Sequence, residues 1–436
     1  MIHTSFDDFL KSFDIPEKIE YSEYKSKLKI LSKYGEKHED AKLFVEWAEQ
    51  SEDWTDELIE DFCKRCYQVF VEAPEMFLQN WYDLHIKQTA RQYISGITSC
   101  ESDGVIDGSK KVEYGRIVKN LFWEDVYSTY TTNSMGMPST YEVLKKSVEY
   151  PFIFRVWKQP SSRKFVELSK AGNSRLFNIL RGTSSKASVF NPNTAAYIIS
   201  DVLKSEKLLT PCLGWGSYII GSFSANVKHY VGMDVIPSVV DKCRLLCEEY
   251  RDNPFNSDKF EYDLYCSPSE QITKRHNFVE KYKEYFDSVF FSPPYFDLEV
   301  YNGGEQSIES FPEYQAWLKG YWEETVKMCY ETLQENGTFS FVIVPQYQSG
   351  KETIHIGQDL SDIAAKYFTR KETKTIQWKT QTALAVGKQK ESGNSENLYI
   401  FKKRKYILSS SEVLAKLSRD LQLKFLFTLR LKNHFF

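Results

Sequence analysis

The residues best suited to chemistry are Ser292, Pro293, Pro294 and Tyr295, which directly follow the apolar run FDSVFF. Adjacent prolines fix the backbone and lack N–H groups, so the carbonyl oxygens beside them meet few competing donors. The serine oxygen and the Pro293 carbonyl could together accept two hydrogen bonds from an exocyclic amino group. The tyrosine ring could stack on the planar heterocycle that carries this group. The four residues therefore predict a site that holds an amino nitrogen.

Two features earlier in the chain could hold a second ligand. The stretch Pro211-Cys212-Leu213-Gly214-Trp215-Gly216 places two glycines between a short apolar run and a helical segment. Glycines there let the backbone turn tightly and approach a ligand closely. Asp234 ends the next apolar run, 18 residues after Gly216 (234 − 216). Its carboxylate could accept hydrogen bonds from a ribose diol, or it could cap the helix that begins near Pro237.

The elements that must position these features alternate in type. Between residues 186 and 406, apolar runs such as YVGMDV, FDSVFF and TFSFVIV are separated by amphipathic helical stretches. This alternation predicts βαβ units, and hence an α/β domain built on a mostly parallel sheet. Ligands of such open sheets bind outside the carboxyl ends of the strands, which is where the three features fall.

With these motifs in this order, the chain resembles the DNA amino-methyltransferases that use S-adenosylmethionine and modify adenine N6 or cytosine N4. The signature tetrapeptide of that family is Asp, Asn or Ser followed by Pro-Pro and an aromatic residue, and here it reads Ser292-Pro293-Pro294-Tyr295. The resemblance covers about half of the chain. It implies a Rossmann-like class I methyltransferase domain with a mostly parallel, seven-stranded sheet.

The resemblance also implies which residues bind the cofactor. The glycine loop would contribute Pro211, Cys212, Leu213, Gly214 and Gly216, and Asp234 would bind the ribose. A segment before the loop resembles the motif that binds the cofactor's methionine part, and it would contribute Phe190, Asn191, Pro192 and Thr194. The polar group near the cofactor's adenine would be Ser267, Ser269 or Glu270.

Two other chemistries are disfavoured by the motif order. Cytosine C5-methyltransferases use the cysteine of a Pro-Cys pair that follows the fourth strand, whereas Pro211-Cys212 precedes the glycine loop here. A zinc deaminase would need an H-x-E motif together with P-C-x-x-C, and the chain lacks this pair. The Cys63–Cys66 spacing has no second pair at zinc-finger distance, and we predict no metal.

Charge is unevenly distributed along a chain whose net charge is only −4. The segment from Arg155 to Lys186 contains eight bases and one acid, and aromatic residues lie between the bases. Such a segment favours phosphate contacts that give affinity without sequence preference. The nucleic-acid-binding residues that we predict in it are Arg155, Lys158, Arg163, Lys164, Arg175 and Arg181.

We expect three regions in the 436 residues. Residues 1–185 are predicted to form a mainly helical domain for DNA recognition or oligomerisation. Residues 186–406 are predicted to form the methyltransferase domain, and residues 407–436 a basic helical tail.

Eight cysteines without a leader-like N-terminus favour reduced thiols and a cytoplasmic protein. No apolar run of about 18 residues exists, so no membrane span is expected.

The sequence thus predicts methyl transfer to an exocyclic amino nitrogen of a flipped-out DNA base, either cytosine N4 or adenine N6. Two alternatives stay open. One is the same chemistry on RNA. The other is a nucleic-acid-binding protein that has the fold without the activity.

Overall fold

The computed structural model describes thirteen stretches of the chain. They are residues 6–11, 19–24, 55–85, 101–102, 104–108, 121–131, 139–141, 187–225, 227–251, 260–301, 303–349, 351–378 and 395–403. The basic segment from Arg155 to Lys186 and the tail 407–436 lie outside these residues, and so do the six nucleic-acid-binding residues predicted above.

Four helices are described before residue 187. They are α1 (Phe6–Leu10), α2 (Asp56–Tyr67), α3 (Pro74–His85) and α4 (Trp123–Ser128), with a π-helical turn, Gln68–Glu72, between α2 and α3. Positions 63 and 66, the two cysteines of the CxxC spacing, both lie on α2. Among the described residues, no group of three or more His, Cys, Asp or Glu side chains is placed to hold a metal ion.

Thirteen strands are described. They are β1 (Glu101–Ser102), β2 (Val105–Asp107), β3 (Tyr130–Thr131), β4 (Lys207–Thr210), β5 (His229–Asp234), β6 (Glu261–Cys266), β7 (Phe286–Phe291), β8 (Glu299–Val300), β9 (Leu333–Ile343), β10 (Tyr347–Ser349), β11 (Glu352–Ile354), β12 (Phe368–Gln377) and β13 (Ser395–Lys403).

The helices described after residue 187 connect these strands. They are α5 (Pro192–Tyr197), α6 (Ser217–Ser224), α7 (Pro237–Arg251), α8 (Ile272–His276), α9 (Phe278–Lys281), α10 (Ser307–Ser310), α11 (Tyr314–Trp317), α12 (Glu323–Thr332) and α13 (Ile356–Tyr367). Two π-helical turns, Ile198–Leu203 and Leu318–Trp322, follow α5 and α11. None of the described helices has both the length and the apolar character that crossing a bilayer would need.

The main sheet has the strand order β1-β2-β12-β13-β9-β7-β4-β5-β6. Strands β6, β5, β4, β7 and β9 run parallel, whereas β13 is antiparallel to both of its neighbours, β9 and β12. The chain runs outward from β4 to β5 and β6, then returns to β7 on the other side of β4. The switch point of this doubly wound sheet therefore lies between β4 and β7. The predicted α/β fold with a mostly parallel, doubly wound sheet is confirmed. Over the described residues the sheet has nine strands where seven were predicted, because β2 and β1 extend it beyond β12.

Successive side chains of the central strands point to opposite faces of the sheet, so the hydrophobic core has two layers. Leu208 and Phe290 pack in one hydrophobic cluster, while their neighbours Leu209 and Val289 pack in the cluster on the opposite face. Both faces of these strands are buried under helices, which explains why β7 reads as a continuous apolar run. The core holds β4 and β7 rigidly, so their carboxyl ends are fixed relative to each other.

Described residues before position 187, where the sequence predicts a separate helical domain, also pair with strands of the later region. Strand β2 pairs in parallel with β12 and extends the main sheet, and β3 pairs with β8 directly after the tetrapeptide. An ion pair fixes the extension, because Lys374 Nζ lies 2.8 Å from Glu101 Oε1. These strands were missed because two or three residues give too short an alternation to distinguish from a loop.

Candidate active site

A cavity of about 720 Å³ opens at the carboxyl ends of the parallel strands. Four of its lining residues are the predicted catalytic set, Ser292, Pro293, Pro294 and Tyr295. Six more are predicted cofactor residues: Phe190, Pro211, Cys212, Gly214, Asp234 and Glu270. The cavity therefore brings together the three motifs that the sequence spreads over about 100 residues. It lies at the switch point between β4 and β7, where loops diverge and leave a crevice.

The glycine loop curls around the end of β4. Gly214 has φ +55° and Gly216 has φ +73°, conformations that favour glycine over other residues. Gly216 does not line the cavity; a Cβ there would lie 2.9 Å from Leu246 Cδ1 and 3.0 Å from Phe122 Cε2. Leu213 is also outside the lining, because it is fully buried and its N–H donates to the Met233 carbonyl at 3.0 Å. Of the two glycines, only Gly214 faces the ligand space.

Asp234 closes the far side of that loop. Its Oδ1 accepts the Ile236 N–H at 3.1 Å and its Oδ2 accepts the Gly214 N–H at 3.3 Å. The first bond organises the turn before α7, so the capping role considered from the sequence is present in part. Burial raises the pKa of this carboxyl to about 6, although the backbone donors oppose the rise. A carboxylate has about four acceptor positions, and the Cys212 thiol, 3.9 Å from Oδ2, takes a third, so about one remains for a ligand in the cavity.

The end of β6 contributes a polar corner. Ser267, Ser269 and Glu270, the three residues considered for the adenine side, all line the cavity. The Ser267 N–H donates to the Asp234 carbonyl at 2.9 Å, and the Ser269 hydroxyl lies 2.7 Å from that of Thr325. Burial raises the pKa of Glu270. This corner is thus joined to the Asp234 turn by the backbone.

The tetrapeptide leaves β7 beside α6. The Ser292 N–H donates to the Tyr218 phenol oxygen at 3.0 Å. Burial raises the pKa of Tyr218 well above its usual value, so the phenol stays neutral. Among the described residues, no hydrogen bond to the Pro293 carbonyl oxygen is formed. Pro293 lines the cavity, so its carbonyl is a candidate acceptor for a ligand.

Tyr295 is anchored through its hydroxyl. It donates to Glu396 Oε1 at 3.0 Å and accepts the Val344 N–H at 3.4 Å. Its ring meets that of Tyr347 edge-on, with centroids 6.0 Å apart. Glu396 also accepts the indole N–H of Trp378 through Oε2 at 2.6 Å. Both Trp378 and Glu396 line the cavity.

A second buried carboxyl group lies at the same end. Glu299 accepts the Tyr301 hydroxyl, and its Oε1 lies 3.3 Å from the Ser188 hydroxyl and 3.4 Å from the Ser188 N–H. Burial raises the pKa of Glu299. Because Glu299 belongs to β8, which pairs with β3, the region before residue 185 also shapes this wall.

The segment before α5 reaches the cavity through Phe190. Its carbonyl accepts the Ser217 hydroxyl at 2.7 Å, which joins it to the start of α6. Asn191, Pro192 and Thr194 lie outside the lining. The Asn191 side chain accepts the Asn193 N–H at 2.9 Å as an N-cap, Pro192 stands in the first turn, and Thr194 is fully buried. The structure gives these three residues a helix-forming role and does not bring them to the cavity.

Cys212 has the surroundings of an unreactive thiol. Its Sγ lies 3.9 Å from Asp234 Oδ2, and burial followed by the Asp234 charge raises its pKa far above the usual value. A nucleophilic cysteine needs a lowered pKa. The structure therefore agrees with the rejection of a cysteine nucleophile.

Among the cavity residues that sequence reasoning missed, four form the side-chain hydrogen bonds described above: Tyr218, Glu299, Trp378 and Glu396. Tyr218 lies two residues after Gly216 and Glu299 lies four after Tyr295, so proximity to a motif could have found them. Trp378 and Glu396 flank a 16-residue stretch that is outside the described residues, and no local pattern marks them.

No protein-family model and no curated protein matches the chain. Among solved structures, it is similar to the N-methyltransferase NodS from Bradyrhizobium japonicum WM9 in complex with S-adenosyl-L-homocysteine. That match has 11% identity over 61% of this chain and 99% of that one, with a TM-score of 0.30. It is also similar to TrmN from Thermus thermophilus, at 10% identity over 50% of each chain, with a TM-score of 0.33.

A third similar structure is a SAM-dependent methyltransferase from Methanosarcina mazei. The identity is 12% over 45% of this chain and 92% of that one, with a TM-score of 0.29. Likeness at this level carries no argument about activity or substrate. The fold therefore rests on the strand order, and the function on the cavity.

Proposed function

We propose that this protein transfers the methyl group of S-adenosylmethionine to an exocyclic amino nitrogen of a DNA base, cytosine N4 or adenine N6. The observation that carries the proposal is the single cavity at the switch point, which the glycine loop, Asp234 and Ser292–Tyr295 all line. A fold of this class hosts many chemistries, so the argument must come from the site.

The cofactor side of the cavity fits a nucleoside. Asp234 has about one acceptor position left for a ribose hydroxyl, and the Ser267–Glu270 corner beside it offers polar groups for a purine edge. When bound, S-adenosylmethionine would supply an electrophilic methyl group. Gly214 and Phe190 would bound the methionine part, because both line the cavity near the end of β4.

The substrate side fits an amino group. Base amino nitrogens are poor nucleophiles, since their lone pair conjugates with the ring. Ser292 Oγ and the Pro293 carbonyl would accept the two amino hydrogens and so stabilise the positive charge that develops on nitrogen. Tyr218 assists by fixing the Ser292 backbone at 3.0 Å before the base arrives. Preorganised acceptors of this kind cost little reorganisation during reaction.

DNA contacts outside the cavity would come from the region before residue 187. We propose that Arg155, Lys158, Arg163, Lys164, Arg175 and Arg181 contact phosphates, and that the helices of residues 1–185 contribute target recognition. Residues 407–436, which carry further bases, would add affinity that depends on salt. Since DNA is the substrate of this proposal, an intracellular location follows from it.

The experiment uses the full chain with radiolabelled S-adenosylmethionine, presented separately with duplex DNA and with RNA. We expect label in DNA, and we expect Ser292→Ala to lower the rate by about 100-fold, as removal of one preorganised group does elsewhere. Calorimetry should give the same cofactor affinity for both proteins, because Ser292 lies on the substrate side.

Each other result rejects a part of the proposal. Label in RNA alone would favour the RNA enzyme. Cofactor binding without label in either polymer would favour the inactive binding protein. Equal incorporation by wild type and Ser292→Ala would show that the tetrapeptide does not hold the amino group.

A further inference from the structure

One carboxylate fixes two aromatic side chains of the cavity wall. Glu396 lies on β13, 101 residues after Tyr295, and accepts the Tyr295 hydroxyl through one oxygen at 3.0 Å. Its other oxygen accepts the Trp378 indole N–H at 2.6 Å. Hydrogen bonds to a charged acceptor are the stronger ones, and a half-buried carboxylate with both oxygens engaged has a strong preference for one geometry.

The Trp378 ring is held on further sides. It meets the Phe190 ring edge-on, with centroids 5.5 Å apart. Gly108 lies against its face so closely that a Cβ there would be 2.4 Å from Trp378 Cε3. The Gly108 carbonyl accepts the Asn191 amide at 2.9 Å, which ties this support to the start of α5. A large ring that borders a cavity and is fixed in this way costs little entropy when it packs against a ligand.

Glu396 already accepts one donor of the cavity wall on each of its oxygens, the Tyr295 hydroxyl at 3.0 Å and the Trp378 indole N–H at 2.6 Å. Loss of either hydrogen bond would release one of the rings. Loss of the Glu396 carboxylate would therefore displace Tyr295 and Trp378 together.

We propose that Trp378 is a second aromatic contact of the nucleobase site, and that Glu396 is the positioning residue that sets both Trp378 and Tyr295. The inference rests on the proposed function, which supplies the planar heterocycle. Aromatic platforms bind bases through their faces and tolerate different sequences. The pair would thus contribute affinity for the flipped base, while Ser292 and Pro293 read its amino group.

A double-mutant cycle tests the positioning role. We expect Glu396→Gln to lower kcat/KM for DNA by about 10-fold and Tyr295→Phe by about 3-fold. The double variant should resemble Glu396→Gln alone, because both changes act on the Tyr295–Glu396 hydrogen bond: the amide has one oxygen for two donors, and phenylalanine has no hydroxyl to donate. Cofactor affinity by calorimetry should stay within about 2-fold, since the cofactor lies on the other side of the cavity.

The chain offers a matched control. Glu323 accepts the Tyr367 hydroxyl at 3.1 Å in the same way, but on α12 and outside the cavity lining. Glu323→Gln and Tyr367→Phe should leave kcat/KM unchanged. The positioning role is overturned if the Glu396 and Tyr295 effects multiply, if Glu323→Gln costs as much as Glu396→Gln, or if cofactor affinity falls in parallel with turnover.

A binding measurement separates this inference from the proposed function. A single-stranded DNA oligonucleotide that contains 2-aminopurine is titrated with wild type, Trp378→Leu and Trp378→Phe. Stacking quenches the probe, so we expect strong quenching by wild type, weak quenching by the leucine variant and recovery with phenylalanine. That result supports Trp378 even if wild type transfers no methyl group, in which case the proposed function alone fails. Equal quenching by wild type and Trp378→Leu, or none by wild type, overturns the assignment of Trp378.

Discussion

The two sides of the cavity are built in different ways. On the side where we propose the cofactor, Asp234 accepts N–H groups of Gly214 and Ile236, which are main-chain groups close to the motifs. On the side where we propose the substrate, Tyr295 is fixed by the side chain of Glu396, 101 residues away. One side is made by local turns of the sheet, and the other by long-range side-chain contacts.

This difference has consequences for mutation. Main-chain donors cannot be removed by substitution, so the cofactor side should respond mainly to changes at Asp234 itself. Side-chain networks fail as units and give non-additive effects. The substrate side should therefore be sensitive at several positions, including ones that never touch a ligand. The following four predictions probe this contrast, from the largest expected effect to the smallest.

Loss of the Asp234 charge should have the largest effect. Asp234→Asn is expected to weaken cofactor binding by about 30- to 100-fold. A neutral amide would replace the carboxylate, and its hydrogen bonds to the cofactor's ribose would be weaker. Titration calorimetry measures the affinity. Asp241→Asn is the control, since Asp241 is exposed and pairs with Arg244 on the same helix. A cofactor affinity within 2-fold of wild type would remove Asp234 from the cofactor side.

Acidification should reproduce part of the loss of cofactor affinity that Asp234→Asn causes. Burial raises the pKa of Asp234 to about 6, so the carboxyl gains a proton as the pH falls through 6 and its acceptor capacity declines. Cofactor affinity should therefore be constant above that pH and fall up to about 10-fold per pH unit below it. Calorimetry from pH 5 to 8 gives the profile. The Asp234→Asn profile should lack this step; the same step in both proteins would assign it to another group.

The substrate side should respond to Tyr218. Tyr218→Phe removes the acceptor of the Ser292 N–H, and we expect kcat to fall by about 10-fold as the turn loses its fixed position. Tyr250→Phe is the control, because that hydroxyl contacts a carbonyl outside the cavity, Phe223 O at 3.2 Å. Steady-state kinetics with saturating cofactor would show the change. Unaltered kcat would mean that Ser292 needs no anchor from α6.

The smallest effect concerns packing behind the glycine loop. Gly216 and Gly104 have similar backbone angles, φ +73° and +76°, but a Cβ meets Leu246 and Phe122 at Gly216 and nothing within 4 Å at Gly104. Gly216→Ala should lower the free energy of unfolding by about 1 kcal/mol more than Gly104→Ala does. Urea denaturation of both variants gives the difference. Equal losses of unfolding free energy in the two variants would indicate that the glycine loop shifts to accommodate the added methyl group and that its packing is loose.

The same contrast explains what the sequence could predict. The glycine loop, Asp234 and Ser292–Tyr295 could be placed at strand ends from the sequence because turn chemistry and the ends of apolar runs are local signals. The α/β fold followed from the same runs. Asn191 and Thr194 do not line the cavity, and a motif resemblance does not distinguish a helix cap from a cavity wall. Glu396 and Trp378 carry no local signal, since only the pairing of β12 with β13 brings them near Tyr295.

Nucleoside mass spectrometry tests the central claim most directly. Duplex DNA is incubated with the full chain and S-adenosylmethionine, digested to nucleosides, and compared with the same reaction of Ser292→Ala. The account predicts N4-methylcytosine or N6-methyladenine with wild type and a strong reduction with the variant. C5-methylcytosine, or no methylated nucleoside in DNA, would contradict it.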